Sequence, residues 1–320
     1  MRNFVDYYYR YTERITDIND AAKNSPQGLV DQMEGHYRRR VNEIADFICT
    51  TQCKGHKVIM LAGPSSSGKT TTASMLCERI NDNGFASKRI SLDEFFLGKE
   101  RTPLLPDGTP DYESIDALDI PLMTECLSGL VKDGECMMPS FDFEKQRPRK
   151  EREYVKLDKD EVVIVEGIHA LNPIVSGSVP DESLLKIYIT IKQGLYEGEE
   201  EVITSHELRL ARRMVRDMMF RGCSPEVTLE SWPKVIAGEQ KFIHPFRRSA
   251  NVIINSIHIY EPCIISQIAL PLLHRINEGN EYYEQASHLA EKLEMFEPLP
   301  PSLIPANSLM REFIGNGIYG

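Results

Sequence analysis

The chain has 320 residues, 41% of them apolar, and a formal net charge of −11. That length suits one large α/β domain with additions or two small domains, and the apolar share suits a packed core rather than a disordered chain. The acidic balance disfavours a general nucleic-acid binder. No apolar run reaches bilayer length, so no membrane partner is expected. The seven Cys are scattered without C-x-x-C pairs, which suggests neither a zinc site nor a disulfide framework. The start, Met1-Arg2-Asn3-Phe4-Val5-Asp6, lacks the apolar core of a secretory signal, and the expected location is cytoplasmic with reduced thiols.

Residues 1–54 read as polar helices, with Tyr7, Tyr8, Tyr9 and Tyr11 clustered early and Val41, Ile44, Ala45 and Ile48 at helical spacing. Ser25-Pro26-Gln27-Gly28 marks a break between helices. Arg38-Arg39-Arg40 is expected on a solvated helix face rather than at an anion site. Next comes Lys57–Ala62, an apolar run of buried-strand length.

Gly63-Pro64-Ser65-Ser66-Ser67-Gly68-Lys69-Thr70 fits G-x-x-x-x-G-K-[ST] without a mismatch. A helix is predicted over 68–83, with Ala73, Leu76, Cys77 and Ile80 at helical spacing and Asn83-Gly84 at its end. Strand, glycine loop and helix in that order turn the pattern into an anion-binding device. Gly63 and Gly68 permit backbone angles and approaches that a Cβ would block. The amides of Ser65, Ser66, Ser67, Gly68 and Thr71 and the positive helix end then face phosphate oxygens. Lys69 would reach the β- and γ-phosphates, and the Thr70 hydroxyl would ligate Mg²⁺.

Ser87–Leu92 reads as a second strand ending in Asp93-Glu94-Phe95-Phe96. An acid at a strand's carboxyl end lies where open α/β sheets place their sites. Asp93 could accept the proton of an attacking hydroxyl, hold Mg²⁺ through water, or cap a turn. The Pro-, Gly- and Asp-rich stretch 97–121 is too long for a simple connection and suits a substrate-side loop or lid. A helix follows over 119–132, then a short strand over Cys136–Phe143 and an exposed basic stretch, Lys145–Lys150.

The β-branched run Glu161–Gly167 reads as a central parallel strand that closes on Glu166, an acid placed to support Mg²⁺ directly or through water. His169 beside it carries no assignment. Leu185–Ile191 is a further strand and 193–205 an acidic loop. In the helix predicted over 207–222, Leu208, Ala211, Val215, Met218 and Met219 can face the core. Arg209, Arg213 and Arg216 form a stripe suited to a triphosphate and its transition-state charge. A helix over 225–241 is interrupted at Trp232-Pro233, and Ala250–Ser256 is the last core strand. Helices over 262–277 and 281–296, a rigid linker Pro298–Pro305 and a short helix Ser308–Ile314 complete the chain.

These elements together resemble the phosphoribulokinase/uridine kinase family. The resemblance is carried by residues 63–72, by Ser-Leu-Asp-Glu-Phe-Phe at 91–96 and by Pro-Ser-Phe-Asp-Phe at 139–143. Val-Glu-Gly-Ile at 165–168 and the Arg-rich stretch 212–222 complete it. Gly-Ile-His-Ala-Leu-Asn at 167–172, Ser-Trp-Pro at 231–233, Ile-Asn-Ser at 254–256 and the stretch 304–315 are similar to a bacterial-type branch of uridine or nucleoside kinases. Members of that branch often carry a threonyl-tRNA-synthetase-like amino-terminal region, which residues 1–54 are too short to hold.

The resemblance implies ATP- or GTP-dependent phosphorylation of a small molecule's primary hydroxyl, the 5′-hydroxyl if the acceptor is uridine or cytidine, and often a homo-oligomer. It implies Asp93 as general base, Lys69 and Thr70 on phosphate and Mg²⁺, Glu166 near the metal, and Arg213 and Arg216 from a lid helix. Its acceptor side would use Glu113, Phe141, Phe143 and Arg213. Here the chain departs from the uridine–cytidine kinases. Phe141 replaces a base-recognising Tyr, Lys145-Gln146 a His, Glu113 a ribose-holding Asp, and Ser231 a Gln. The acceptor could therefore be another hydroxylated metabolite, and a nucleotide-binding regulatory module is the rival from a different class.

The expected fold is α/β, a P-loop NTPase-type parallel sheet flanked by helices with a lid helix. The expected organisation is a helical extension over 1–54, the kinase domain over 55–260, and a helical extension over 261–320 packed on it.

Overall fold

A computed structural model describes residues 13–50, 57–143, 145–158 and 160–319. The early tyrosine cluster, Tyr7 to Tyr11, lies outside them. Two helices come first, α1 (Ile15–Asn24) and α2 (Pro26–Thr50), broken at Ser25 as the sequence predicts. β1 (Lys57–Ala62) leads through the glycine loop into α3 (Lys69–Asp82), and β2 (Ser87–Ser91) runs into a 3₁₀ turn over Leu92–Phe95.

α4 (Ile120–Lys132) follows the long loop, its first turn capped by the Asp119 carboxylate, which accepts from the Leu122 amide at 3.2 Å. The predicted strand 136–143 divides in two. β3 (Glu135–Met138) pairs with β6 (Glu153–Lys156), and β4 (Phe141–Asp142) pairs with β5 (Arg147–Pro148). Pro139 cannot donate to a ladder, which fits the division there.

β7 (Val162–Glu166), α5 (Pro173–Ser176) and β8 (Leu184–Thr190) come next. The stretch expected as a loop over 193–205 is instead a hairpin, β9 (Leu195–Glu197) and β10 (Glu200–Ile203), turning at Gly198 with φ +62°. Its acids face solvent while Leu195 and Ile203 are fully buried, so the apolar positions rather than the charges decide the conformation.

α6 (Ser205–Phe220) starts on a capping box between Thr204 and Glu207. α7 (Pro225–Phe242) starts on Ser224 and runs straight through Pro233, where an interruption was expected. Trp232 packs against Arg209, and Glu239 one and a half turns beyond the proline bonds the same guanidinium. These contacts on both sides of Pro233 offset its helix cost of about 3 kcal/mol. β11 (Val252–Asn255), α8 (Glu261–Leu273), α9 (Tyr283–Glu294) and α10 (Arg311–Ile314) end the fold.

The central sheet has the order β11-β8-β1-β7-β2, and all its pairings are parallel. β1 is flanked by two strands that come later in sequence, so the chain winds outward from it in both directions. Alternate residues of β1 serve opposite faces. Ile59 and Leu61 join a core with α2, α3, α6, α8, α9 and α10, whereas Val58, Met60 and Ala62 join a core with α4. The amino-terminal and carboxyl-terminal helices thus share one apolar core with the sheet. Among the described residues no helix is long and apolar enough to cross a membrane.

Candidate active site

The carboxyl ends of β1, β2 and β7 lie side by side, with Leu61 and Ser91 both in register with Glu166. That alignment brings Gly63–Thr70, Asp93 and Glu166 to one edge of the sheet, where open parallel sheets bind their ligands. The loop turns at Ser66, whose φ of +59° is left-handed, and at Gly68, φ +88°. Ser66 is not a glycine, and such a conformation costs roughly 1–2 kcal/mol.

Two buried arginines of α6 hold the loop in that shape. Arg209 Nε donates to the Ser65 carbonyl at 2.9 Å, and Arg212 Nη1 donates to the Ser66 carbonyl at 3.3 Å. Each guanidinium is neutralised by a buried carboxylate. Arg209 forks onto Glu239 at 3.0 and 2.6 Å, and Arg212 forks onto Glu261 while also donating to the Ser256 carbonyl at 2.8 Å. Arg209 was expected on the phosphate-facing stripe. It is 1% exposed and braces the loop from behind instead. Met218 and Met219, expected in the core, are exposed, whereas Leu208, Ala211 and Val215 of the same expected stripe are buried.

From the amino-terminal side, Tyr37 on α2 hydrogen-bonds the Thr72 hydroxyl at 2.6 Å, and Thr72 in turn donates to the Gly68 carbonyl at 2.6 Å. The loop carbonyls of Ser65, Ser66 and Gly68 are thus all bonded, and the Ser67 amide donates to the Pro64 carbonyl at 3.3 Å. The Ser66 and Ser67 hydroxyls are buried there without a hydrogen-bond partner. A buried polar atom is rarely left unpaired, and these two suit phosphate oxygens. Lys69 Nζ donates to the Pro64 carbonyl at 3.1 Å. Burial lowers the pKa of this ammonium, while the charges of Glu166, Asp93 and Glu312 act in the opposite sense.

Glu166 is 4% exposed. Its carboxylate accepts from the Thr70 hydroxyl at 3.4 Å and faces Arg89 at 3.6 Å. Burial, together with the negative charge of Asp93, pushes its pKa up to about 7. Burial also raises Asp93, against the pull of Lys69, Arg221 and Arg216. Two desolvated carboxylates beside one hydroxyl form a donor set suited to a hard divalent cation that keeps several waters. Among the described residues no group of three or more His, Cys, Asp or Glu could hold a metal by itself.

The remaining arginines of α6, with Arg221 just past its end, converge on a single acid. Asp217 binds Arg213 at 3.3 Å, Arg216 at 2.8 Å and Arg221 at 3.5 Å. Arg213 Nη1 also donates to the Ser65 hydroxyl at 2.8 Å. Asp217 was not among the expected site residues, yet its i, i+4 relation to Arg213 and Arg221 is visible in sequence. Glu239 and Glu261 carried no such signal, since they lie 30 and 49 residues from their arginines.

On the acceptor side, Phe141 is buried between Phe96, with ring centroids 5.8 Å apart, and Phe143, at 5.2 Å. Phe143 itself is exposed. The Phe141 amide donates to Glu94 at 2.6 Å, which seats β4 against the turn that carries Asp93. Glu113 packs on α7, where a Cβ at Gly238 would stand 2.3 Å from its own Cβ. Burial pushes the Glu113 pKa up to about 7, opposed by Arg213 and Lys69. Ser231 donates to the Thr228 carbonyl of its own helix at 3.1 Å. The loop expected as a lid is tied to α7 at its tip by Lys234, 2.8 Å from Asp107 and 3.2 Å from Thr109. His169 is buried and neutral, its pKa lowered by burial to about 4, and its ring packs edge-on against Phe242.

A doubly flanked parallel sheet, a phosphate loop at its central strand, and two acids beside it define a P-loop phosphotransferase with a hydroxyl acceptor. Residues 58–261 match the model of the phosphoribulokinase / uridine kinase family, and the chain belongs to that family. The uridine kinase of Bacillus pumilus is 31% identical over 198 residues, covering 62% of this chain and 85% of that protein. The uridine kinase of Ureaplasma parvum is 26% identical over 226 residues, 68% of this chain and 94% of that one. Among solved structures, one described as a possible uridine kinase from Bacillus stearothermophilus superposes with a TM-score of 0.47 at 16% identity, covering 68% of this chain and 98% of that one.

Proposed function

We propose that this chain transfers the γ-phosphoryl group of ATP to a primary hydroxyl, with the 5′-hydroxyl of uridine or cytidine as the default acceptor. The observation that carries the reading is the meeting of Lys69, Thr70, Glu166 and Asp93 at one sheet edge. The names of the family relatives support the acceptor. The kinase unit is residues 55–260, with helical extensions before and after it.

In this reading the amides of Ser65 to Gly68 cradle the phosphates, and Lys69, Arg213 and Arg216 meet the charge on the transferred group. Thr70 and Glu166 would hold Mg²⁺, which would neutralise phosphate charge. Asp93 accepts the acceptor's hydroxyl proton as the new O–P bond forms and the bond to the leaving ADP breaks. Burial raises the Asp93 pKa, and Lys69, Arg221 and Arg216 act in the opposite sense, toward the ionised form that this role requires. Phosphoryl transfer asks for positioning and charge more than covalent chemistry, and this set supplies both.

A second acceptor class is favoured by two observations. Phe141 offers no polar atom to a base edge, and the Ser231 hydroxyl is engaged with its own helix. A site without such groups discriminates weakly for a pyrimidine, so another small hydroxylated metabolite is the alternative. The test is ADP release from Mg-ATP over uridine, cytidine, purine nucleosides, sugars, polyols and hydroxy amino acids, with Lys69→Ala as blank. Turnover on uridine or cytidine is expected. Activity confined to another acceptor would establish the alternative, and no turnover on any acceptor despite ATP binding would refute the kinase reading.

A further inference from the structure

Thr71 was expected among the phosphate-binding residues, and its groups are already engaged. The Thr71 amide donates to Glu312 Oε2 at 3.2 Å, and the Thr71 hydroxyl donates to the same oxygen at 2.8 Å. Glu312 comes from α10, 241 residues along the chain. Its carboxylate thus sits on the first turn of α3, where the free amides and the helix dipole favour an anion.

The segment that carries Glu312 is firmly seated. Leu309, Met310 and Phe313 are fully buried. A Cβ at Gly68 would stand 2.4 Å from Leu309 Cδ1, so the segment lies directly on the phosphate loop. Phe313 stacks under Arg212 at 4.9 Å, and the Ser308 hydroxyl donates to buried Glu34 at 2.5 Å. Glu312 itself is only half-buried, between these anchors and the cleft. Its side chain can therefore swing away while the segment stays in place.

We propose that Glu312 is an internal competitor for the nucleotide, a carboxylate that holds the Thr71 amide and hydroxyl until a phosphate group of the triphosphate displaces it. This rests on the reading of Gly63–Thr71 as the nucleotide site. One amide hydrogen cannot serve a carboxylate and a phosphate equally, and two anions at that spacing repel. Glu312 also lies within electrostatic reach of Lys69, so the competition extends to the cation that must receive the β- and γ-phosphates. The device sets nucleotide affinity from outside the kinase unit and gives the carboxyl-terminal extension a role at the site.

The test is the Mg-ATP dissociation constant of the wild type, Glu312→Ala and Glu312→Gln, by calorimetry, with adenosine as a phosphate-free control and a thermal melt to verify folding. Two charge-assisted hydrogen bonds and one repulsion removed should tighten ATP binding by roughly tenfold in Glu312→Ala. Glu312→Gln, which keeps an acceptor but no charge, should tighten it less, and adenosine affinity should not change in either. ATP affinity unchanged or weakened in both folded variants, with the wild type binding normally, overturns the competitor and leaves the kinase reading standing. Absence of Mg-ATP binding in all three folded proteins overturns both.

Discussion

The two halves of the cleft are held in different ways. On the phosphate side, every bend of Gly63–Thr70 is fixed by a buried partner: Arg209 with Glu239, Arg212 with Glu261, and Tyr37 through Thr72. On the acceptor side, the long loop is tied down by Lys234 and Asp107, which are 35% and 49% exposed, and by aromatic packing around Phe96 and Phe141. Buried, fully bonded networks rigidify, whereas exposed pairs contribute little and leave room to adapt. In the proposed reaction the triphosphate is the same in every turnover and tolerates rigid positioning. Acceptor choice is where this chain can differ from its relatives, and there the restraints are weak.

The sharpest way to break the comparison is to strike the phosphate side. Lys69→Ala should cut turnover about a thousandfold on every acceptor, as the loss of a preorganised positive group does, with the melting temperature little changed. Activity above a tenth of wild type would remove Lys69 from the chemistry.

Next in size is the brace. Arg209→Ala leaves buried Glu239 with His244, 2.9 Å away, as its remaining partner, and should destabilise by about 3 kcal/mol, the lower end for a broken buried pair, read from chemical denaturation. Replacing both partners, Arg209→Met with Glu239→Leu, should recover most of that stability. It should not recover the KM for ATP, because the Ser65 carbonyl still lacks its donor. Full recovery of both would make the pair purely structural.

The acids give a pH signature. Glu166 and Glu113, both pushed up to about 7 by burial, bind protons in the folded state that an unfolded carboxylate near 4.3 has lost. Stability of the nucleotide-free protein should therefore fall as pH rises from about 5 to 8, by on the order of 1–3 kcal/mol per group. Glu166→Gln or Glu113→Gln should flatten that slope in melts across the range. A wild-type slope of the opposite sign would contradict the burial that raises these two acids.

The smallest effect belongs to the acceptor loop. Lys234→Ala removes an exposed pair and should cost under about 1 kcal/mol. It should raise KM for the acceptor and leave KM for ATP alone. An equal change in both would mean that the two halves are not separately restrained.

How much of this was legible in sequence follows the same divide. The strand before Gly63, the helix after Thr70, and the strands that end at Asp93 and Glu166 were readable, because the phosphate loop is contiguous and parallel core strands are short apolar runs. The outward winding from β1 puts those ends together without further information. Arg209 was placed with the phosphate-facing arginines and Arg212 was passed over, because an arginine on a helix shows no buried role until its carboxylate is known. Glu239 and Glu261 reach them only through the fold. Glu312 was invisible for the same reason, 241 residues from Thr71. Pro233 and the hairpin at Gly198 show tertiary contacts overriding local signals.

The proposed role of Asp93 is that of base in a phosphoryl transfer whose phosphate machinery is held by other residues. The direct test is single-turnover transfer by Asp93→Asn at saturating Mg-ATP and acceptor, with ATP affinity measured in parallel. The expected loss is about a hundred- to ten-thousandfold in rate, with ATP affinity within a fewfold of wild type. Transfer at near wild-type rate would contradict it and move the proton acceptor elsewhere.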